Sequence, residues 1–243
     1  DRPDEEILKH FLAGKLPKRL VSDFLVFFDA INGPIAIRSS SMLEDSRYQP
    51  FAGIYSTYMI PNTDDKLEMV HMLSDAIKGV YASVFYKDSK AYMAATQNLI
   101  DQEKMAIVLQ EVVGSKYGSQ FYPTISGVGR SINYYPIGNE KTEDGIATIA
   151  LGLGKYVVDG NIGLRFSPLH PSNILQMSTL DLALKDTQTR FFALDLNSTN
   201  NNFSIDDGFN LLKLSLKEAE SDGTLRYVSS TYDPVDQIIR DGY

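Results

Sequence analysis

The sequence predicts an α+β protein in which helices pack on one face of mixed or antiparallel sheets. Apolar residues recur at helical spacing through most of the first hundred residues. The second half instead carries short apolar runs separated by Gly-containing turns, a pattern typical of β-strands. This order of elements favours the α+β class.

Two helices are predicted before residue 33. Residues 5–12 form a short amphipathic stretch, and a second helical stripe consists of Leu20, Val21, Phe24, Leu25, Phe28 and Ile31. Asn32-Gly33-Pro34 is predicted to end the second helix, because Gly accepts a C-cap conformation and Pro cannot continue the hydrogen-bond ladder. We therefore expect an N-terminal helical segment at 1–33 and a partial nucleotide-binding domain at 34–243.

A long helix is predicted between two early strands and the strands of the second half. The early strands are expected at 35–37 and 54–60. Residues 64–96 then show the longest 3.6-residue pattern of the chain, which predicts one helix packed on a sheet, with Gly79 as the point where it could break.

Seven strands are predicted after this helix. The nearly continuous apolar run at 105–113 predicts a central strand covered on both faces. The other six are expected at 120–125, 131–137, 146–151, 191–196, 211–216 and 225–230.

Composition excludes several classes of function. The net charge of −8 argues against broad nucleic-acid binding, which requires a basic face. No apolar run approaches the roughly 20 residues that cross a bilayer, so no membrane association is expected. The absence of cysteine excludes disulfides and thiolate sites and fits a cytoplasmic location. The first residues lack both Met and a signal-peptide pattern, so we expect a piece of a longer or processed chain.

The segment Arg38-Ser39-Ser40 is the strongest candidate for chemistry. It follows the predicted buried strand 35–37, which would bring one guanidinium and several hydroxyls to a strand edge. Arg suits phosphate because its planar fork donates two parallel hydrogen bonds, and hydroxyls can complete an anion site. The alternative is structural: Arg38 pairs with Glu44 or Asp45, and the serines cap a turn.

Residues 35–58 resemble a motif of pyruvate phosphate dikinases and phosphoenolpyruvate synthases. The family pattern is an apolar strand, R-S-S, a short spacer, E-D, and then S-F-A-G-x-x-x-T. The matching residues here are Arg38, Ser39, Ser40, Glu44, Asp45, Phe51, Ala52, Gly53 and Thr57. Pro50 stands where the family usually has a small residue.

Three later segments resemble the same family in the same order. Residues 80–92 (VYASVFYKDSKAY) are similar to its W-A-S-L-F helix, and residues 105–123 to its apolar strand and Q-x-M-V segment. Residues 147–162 (ATIALGLGKYVVDGNI) are similar to its G-L-G-E-x-V-V-x-G turn. The resemblance is clearest over 34–168.

The resemblance implies an ATP-grasp-like fold, which in this family holds ATP between two α+β lobes. It assigns Arg38 to the ATP phosphates as the catalytic residue of this chain, with Ser39 and Ser40 adding hydrogen bonds. The backbone of Gln110, Glu111, Val112 and Val113 would bind the adenine edge. The alternative for both valines is a plain core position.

The loop of Gly152 and Gly154 is a further candidate for contact with phosphates, because glycines permit close backbone approach. It is not a Walker A loop, which requires G-x-x-x-x-G-K-[ST]. Lys155 replaces the usual Glu of the family, so an acidic role there is in doubt. The alternative is a tight turn with an exposed Lys.

The function implied is the ATP-binding part of an ATP-dependent phosphotransferase. In the parent protein, ATP would phosphorylate a catalytic His on another domain, for transfer to pyruvate or a similar acceptor. The Mg²⁺ ligands, the phosphohistidine domain and the domain that binds phosphoenolpyruvate or pyruvate are expected outside this chain. A Gly-Gly-Lys segment of relatives is missing, so the chain alone is expected to be inactive. A homodimer is a further expectation. The alternative is a degenerate, non-catalytic nucleotide-binding or assembly module.

Overall fold

The structure is a computed structural model that describes residues 2–42, 44, 53–95, 103–199 and 203–242. The chain divides into two compact units. The first consists of residues 1–113 and 195–211, and the second of residues 114–194 and 212–243. The helices and antiparallel sheets in both establish the α+β class. The boundary predicted at residue 33 does not coincide with a division between the units, and the predicted domain assignment stays a prediction.

The first unit combines helices with one small sheet. Its described elements are α1 (Asp4–Leu12), α2 (Lys18–Ala30), β1 (Ile35–Ser41), β2 (Tyr58–Ile60), α3 (Lys66–Ser83), α4 (Lys87–Ala95) and β3 (Met105–Glu111). The strand order is β2-β1-β3, and both pairings are antiparallel. The two N-terminal helices and β1 confirm the sequence-based expectations, although β1 continues four residues beyond Ile37.

One face of this sheet packs against α2 and α3. The core residues include Phe24, Phe28, Ile35, Ile37, Tyr58, Ile60, Met69, Leu73, Ala76 and Val80. Tyr58 is fully buried, and its hydroxyl donates to the carbonyl of Ser204 at 3.2 Å. Burial raises the pKa of Tyr58 far above its ordinary value, so this side chain stays neutral in the core.

The helix predicted over 64–96 is two helices, which are separated at residues 84–86. The Ser83 carbonyl accepts the Ser89 hydroxyl at 2.7 Å. The N–H of Lys87 donates to Asp4 Oδ1 at 3.0 Å. The Ser89 hydroxyl and the Asp4 carboxylate thus bond to backbone groups that the interruption of the helix leaves unpaired. The hydrophobic period of the sequence does not reveal these contacts.

Gly79 is not the break: it lies buried inside α3. A Cβ at this position would lie 2.6 Å from Tyr58 Cε2 and 3.0 Å from Phe203 Cζ. The glycine therefore allows two aromatic rings to pack against the helix backbone.

The prediction that 105–113 is a central strand covered on both faces is wrong. β3 lies at the end of the β2-β1-β3 order, and its alternate residues Ala106, Val108 and Gln110 are exposed. The apolar run reports hydrophobicity but not which neighbours cover it. Here α2 and α3 cover only one face of the sheet.

The second unit consists of short strands and short helices. Its described elements are β4 (Ser115–Tyr117), β5 (Gln120–Tyr122), β6 (Ser126–Arg130), β7 (Ile146–Ala150), α5 (Lys155–Val158), β8 (Leu164–Phe166), α6 (Leu180–Lys185), β9 (Arg190–Asp195), β10 (Leu211–Ser215), α7 (Leu216–Ser221), β11 (Ser230–Asp233) and β12 (Ile238–Asp241). Three sheets form, with the orders β10-β9-β5-β4, β6-β7-β8 and β11-β12.

The strand predicted at 131–137 is wrong, because this segment folds around a buried polar side chain. Asn133 is 0% exposed. Its Oδ1 accepts the Tyr135 N–H at 3.1 Å, and its Nδ2 donates to Glu140 Oε2 at 3.0 Å. These side-chain bonds replace a strand ladder, and Pro136 could not donate to one.

The strand predicted at 225–230 is also wrong over most of its length. Leu225–Tyr227 is a 3₁₀ turn, and the strand β11 begins only at Ser230. The Thr224 side chain is buried and lies 3.1 Å from the Tyr122 hydroxyl, which also donates to Asp222 at 2.7 Å.

The short helices α5, α6 and α7 have too few turns for a helical period to predict them. Within the described residues, no helix is both long and apolar enough to span a membrane.

Candidate functional site

The open face of the β2-β1-β3 sheet carries three of the predicted site residues, Arg38, Ser40 and Gln110. Side chains alternate between the two faces of a strand, and directly paired residues share a face. The register pairs Ala36 with Gln110, Arg38 with Val108 and Ser40 with Ala106. Arg38, Ala106, Val108 and Gln110 are exposed on this face, opposite the helices. This face thus combines the guanidinium of Arg38, the hydroxyl of Ser40 and the amide of Gln110 with the apolar side chains of Ala106 and Val108.

Ser39 lies on the other face of β1. It is 4% exposed and follows the same alternation as Ile35 and Ile37, which belong to the core. The structure therefore brings Ser40, but not Ser39, to the face of Arg38. The turn after β1 is capped by Ser41, whose Oγ accepts the N–H of Glu44 at 3.2 Å.

The alternative ion pair of Arg38 with Glu44 is not present. Within the described parts of the chain, Arg38 has no carboxylate oxygen within 4.0 Å. Asp45, Pro50, Phe51 and Ala52 of the motif lie outside the described residues. The Arg38 guanidinium is exposed, so it is available to an anion that approaches the open face.

At the end of β3, two backbone groups have no hydrogen-bond partner among the residues that the structure describes. The Val112 N–H donates to the Pro34 carbonyl at 2.8 Å. In the antiparallel ladder, the backbone N–H and C=O groups of Gln110 and Val112 therefore point toward β1. The backbone groups of Glu111 consequently point away from β1, to the edge of the sheet where no other described strand pairs. Among the described residues, neither the Glu111 carbonyl nor the Val113 N–H has a hydrogen-bond partner. Val113 is 84% exposed, which excludes the alternative of a core position for its side chain.

The Glu111 side chain has a structural contact that the sequence did not reveal. Its Oε1 accepts the Asn32 N–H at 2.9 Å and the Gly33 N–H at 2.5 Å. Asn32 and Gly33 were interpreted only as a helix stop. A Glu far away along the chain gives no sequence signal for this contact.

Gly152 has a packing role in the second unit. Its φ is 90°, and a Cβ there would lie 2.7 Å from the Phe192 carbonyl oxygen and 2.9 Å from Phe191 Cβ. Gly154, in contrast, has only ordinary contacts near its position, the nearest at 3.8 Å. Their binding of phosphate stays a prediction, and packing alone explains Gly152.

Lys155 begins α5 and does not match the alternative of a tight turn with an exposed Lys. Its side chain is 20% exposed, and its Nζ lies 3.4 Å from Asp159 Oδ1. The ion pair, at i,i+4 spacing, joins the first residue of this short helix to its C-cap residue.

Two residues of the family motif have evident conformational roles. Gly53 has a φ of 83°, a left-handed conformation that favours glycine. The Thr57 N–H donates to Asp207 Oδ2 at 2.7 Å, which ties the start of β2 to the 195–211 segment.

Among the described residues, no group of three or more His, Cys, Asp or Glu could hold a metal ion.

Comparison with known proteins identifies the family. The family model described as the pyruvate phosphate dikinase AMP/ATP-binding domain matches residues 1–182 of the 243. The chain is also 30% identical, over 156 residues, to the uncharacterized phosphotransferase YvkC of Bacillus subtilis strain 168. That alignment covers 64% of this chain but only 17% of YvkC. The match confirms the resemblance inferred from residues 35–58 and begins already at the N-terminal helices. The chain belongs to the family of the pyruvate phosphate dikinase AMP/ATP-binding domain.

Proposed function

We propose that this chain is the ATP-binding part of a phosphotransferase of the phosphoenolpyruvate synthase or pyruvate phosphate dikinase type. In the parent protein, ATP phosphorylates a histidine on another domain, and the phosphoryl group passes to pyruvate or a similar acceptor. The observation that carries the proposal is the open sheet face of Arg38, Ser40 and Gln110, in a chain of an ATP-binding family. The cytoplasmic location and the homodimer stay predictions.

On this face Arg38 binds the phosphates. The guanidinium is exposed, and Ser40 is its neighbour two residues along the same strand face. Phosphoryl transfer depends mainly on positioning and on neutralisation of charge by cations. Arg38 supplies one such cation, and the Ser40 hydroxyl adds a donor. The Mg²⁺ ligands are proposed to lie outside this chain.

The end of β3 binds the adenine edge. In an extended segment, the carbonyl of one residue and the N–H two residues later point to the same side. Glu111 C=O then accepts the adenine N6 amino group, and Val113 N–H donates to N1. Neither group has a partner among the described residues. The exposed apolar residues Ala106 and Val108 provide a surface for the nucleotide beside them.

We expect ATP to bind more tightly than GTP. Guanine would present its O6 acceptor to the Glu111 carbonyl and its N1–H to the Val113 N–H, so both contacts become repulsive. An unsatisfied polar group costs about 1–3 kcal/mol, which corresponds to an affinity for GTP weaker by roughly tenfold or more. Calorimetric titration with the Mg²⁺ complexes measures this ratio, with inorganic tripolyphosphate as the ligand that lacks a base. Equal affinities for ATP and GTP would rule out the adenine assignment.

The function itself is tested by ATP–Mg²⁺ titration of this chain and of the longer parent protein. Binding by the parent, together with transfer of labelled phosphate from ATP to a histidine, supports the phosphotransferase. Absence of ATP binding by both would contradict the proposal.

A non-catalytic nucleotide-binding or assembly module is the second candidate. Lys155 stands where the family usually has Glu and pairs with Asp159. The segment 123–127 also departs from the family's T-x-x-P-x-T-G loop. ATP binding by the parent without any phosphohistidine would favour this module. An acceptor other than pyruvate, as in water dikinases that act on glucans, is tested by the same label with a range of acceptors.

A further inference from the structure

The carboxylate of Glu111 joins the last residue of β3 to the turn before β1. Oε1 accepts two successive backbone N–H groups, those of Asn32 and Gly33, at 2.9 and 2.5 Å. Both are contacts across 78 or more residues of the chain. A carboxylate that accepts two N–H bonds makes charge-assisted hydrogen bonds, which are stronger than neutral ones.

A backbone bond closes the same junction one residue later. Val112 N–H donates to the carbonyl of Pro34, which is buried, at 2.8 Å. Glu111 and Val112 are thus both attached to the segment 32–34. The Glu111 carbonyl and the Val113 N–H, which have no partner in the described part of the chain, lie within one residue of these attachments.

Gly33 allows the close approach on which the carboxylate contact depends. A Cβ at Gly33 would lie 3.1 Å from Glu111 Oε1, 3.3 Å from its Cγ and 3.3 Å from the Val112 carbonyl oxygen. The Glu111 side chain shares the strand face of Leu109, whereas Gln110 is on the open face with Arg38. The carboxylate therefore reaches the turn without occupying the face proposed for the nucleotide.

We propose that Glu111 is a positioning residue for nucleotide specificity. Its carboxylate fixes the end of β3 on the 32–34 turn, and this holds the Glu111 carbonyl and the Val113 N–H at the spacing that the adenine edge requires. The side chain does not touch the nucleotide. This inference rests on the proposed ATP-binding function and adds a specificity determinant to the same site.

The test compares Glu111→Ala with Glu111→Gln in the 243-residue chain and in the longer parent protein. Glu111→Ala removes the acceptor, and we expect ATP affinity to fall by about tenfold. Affinity for inorganic tripolyphosphate should remain unchanged, because Arg38 is unaffected. Glu111→Gln keeps an oxygen acceptor for the two N–H groups, and it should restore most of the ATP affinity. Glu5→Ala, which removes another exposed carboxylate of the first unit, is the control for net charge.

A second variant protects the test against a general loss of folding. Gly33→Ala places a methyl group 3.1 Å from Glu111 Oε1, so it displaces the carboxylate while Glu111 itself is retained. We expect the same selective loss of ATP over tripolyphosphate.

Three outcomes overturn the inference and are distinguishable. An unchanged ATP affinity in Glu111→Ala overturns the positioning role and leaves the proposed function intact. An equal loss for ATP and tripolyphosphate shows a merely structural residue, again without affecting the proposed function. Failure of both unchanged chains to bind ATP overturns the proposed function and this inference together.

Discussion

Replacement of Arg38 by Ala should lower the affinity for ATP by roughly 10- to 100-fold. A hydrogen bond to a charged group contributes about 1.5–3 kcal/mol, and each 1.4 kcal/mol changes affinity about tenfold. The exposed guanidinium has no carboxylate partner among the described residues, so its removal leaves no buried charge behind. The loss should therefore appear in binding, measured by calorimetry, and not in the thermal unfolding temperature.

Two further variants separate charge from geometry. Arg38→Lys keeps the positive charge but loses the planar fork, so its affinity should lie between those of the unchanged chain and Arg38→Ala. Arg19→Ala removes an arginine of the same unit that is 91% exposed and pairs only loosely with Asp23, and it should leave affinity unchanged. Inorganic tripolyphosphate should lose as much affinity as ATP in Arg38→Ala. Unchanged binding in that variant would assign Arg38 a structural role.

The sequence predicted a candidate phosphate-binding segment but not the arrangement of its side chains. Arg38, Ser39 and Ser40 were predicted as one group because they are consecutive. In a strand, consecutive residues point to opposite faces, and β1 continues to Ser41. Ser39 is consequently buried beside the core, while Arg38 and Ser40 share the open face. The continuation of the strand could not be read from three polar residues.

The segment proposed to bind adenine shows a similar limit. The nearly continuous apolar run from 105 to 113 predicts the strand correctly, but it also predicts cover on both faces. The structure leaves Ala106 and Val108 exposed. Apolar residues on an uncovered face are expected where a nucleotide base is to be contacted, so the error coincides with the candidate site. Strand order, which decides which backbone groups are free, depends on contacts between distant segments and is not encoded in a local pattern.

In the second unit, local polar contacts overrode the hydrophobic pattern. Apolar residues around Asn133 suggested a strand, but its side chain bonds to the Tyr135 N–H and to Glu140. The regular strands β7 and β9, in contrast, are mainly apolar and confirm the predictions at 146–151 and 191–196. Hydrophobic periodicity therefore predicts a strand correctly where backbone groups bond to other backbone groups. It fails where side chains make these hydrogen bonds instead.

Gly152→Ala should destabilise the second unit by about 2–5 kcal/mol. A non-glycine residue at positive φ costs roughly 1–2 kcal/mol, and Gly152 has a φ of 90°. The added Cβ would also lie 2.7 Å from the Phe192 carbonyl oxygen, and relief of such overpacking typically costs about 1–3 kcal/mol. Urea unfolding measures the loss. Amide exchange at Leu153, whose N–H donates to the Phe192 carbonyl at 2.9 Å, should accelerate in parallel.

Gly160→Ala is the matched control, because it isolates the conformational cost from the clash. Gly160 has a φ of 76°, and a Cβ there would meet nothing within 4 Å. The free energy of unfolding of Gly160→Ala should therefore fall by only about 1 kcal/mol, since the reduced entropy of the unfolded chain offsets part of the strain. Equal losses in the two variants would exclude the clash with the Phe192 carbonyl as a cause. A Gly152→Ala chain of unchanged stability but weakened tripolyphosphate binding would instead support the phosphate contact predicted for this loop, because packing would then no longer explain the glycine.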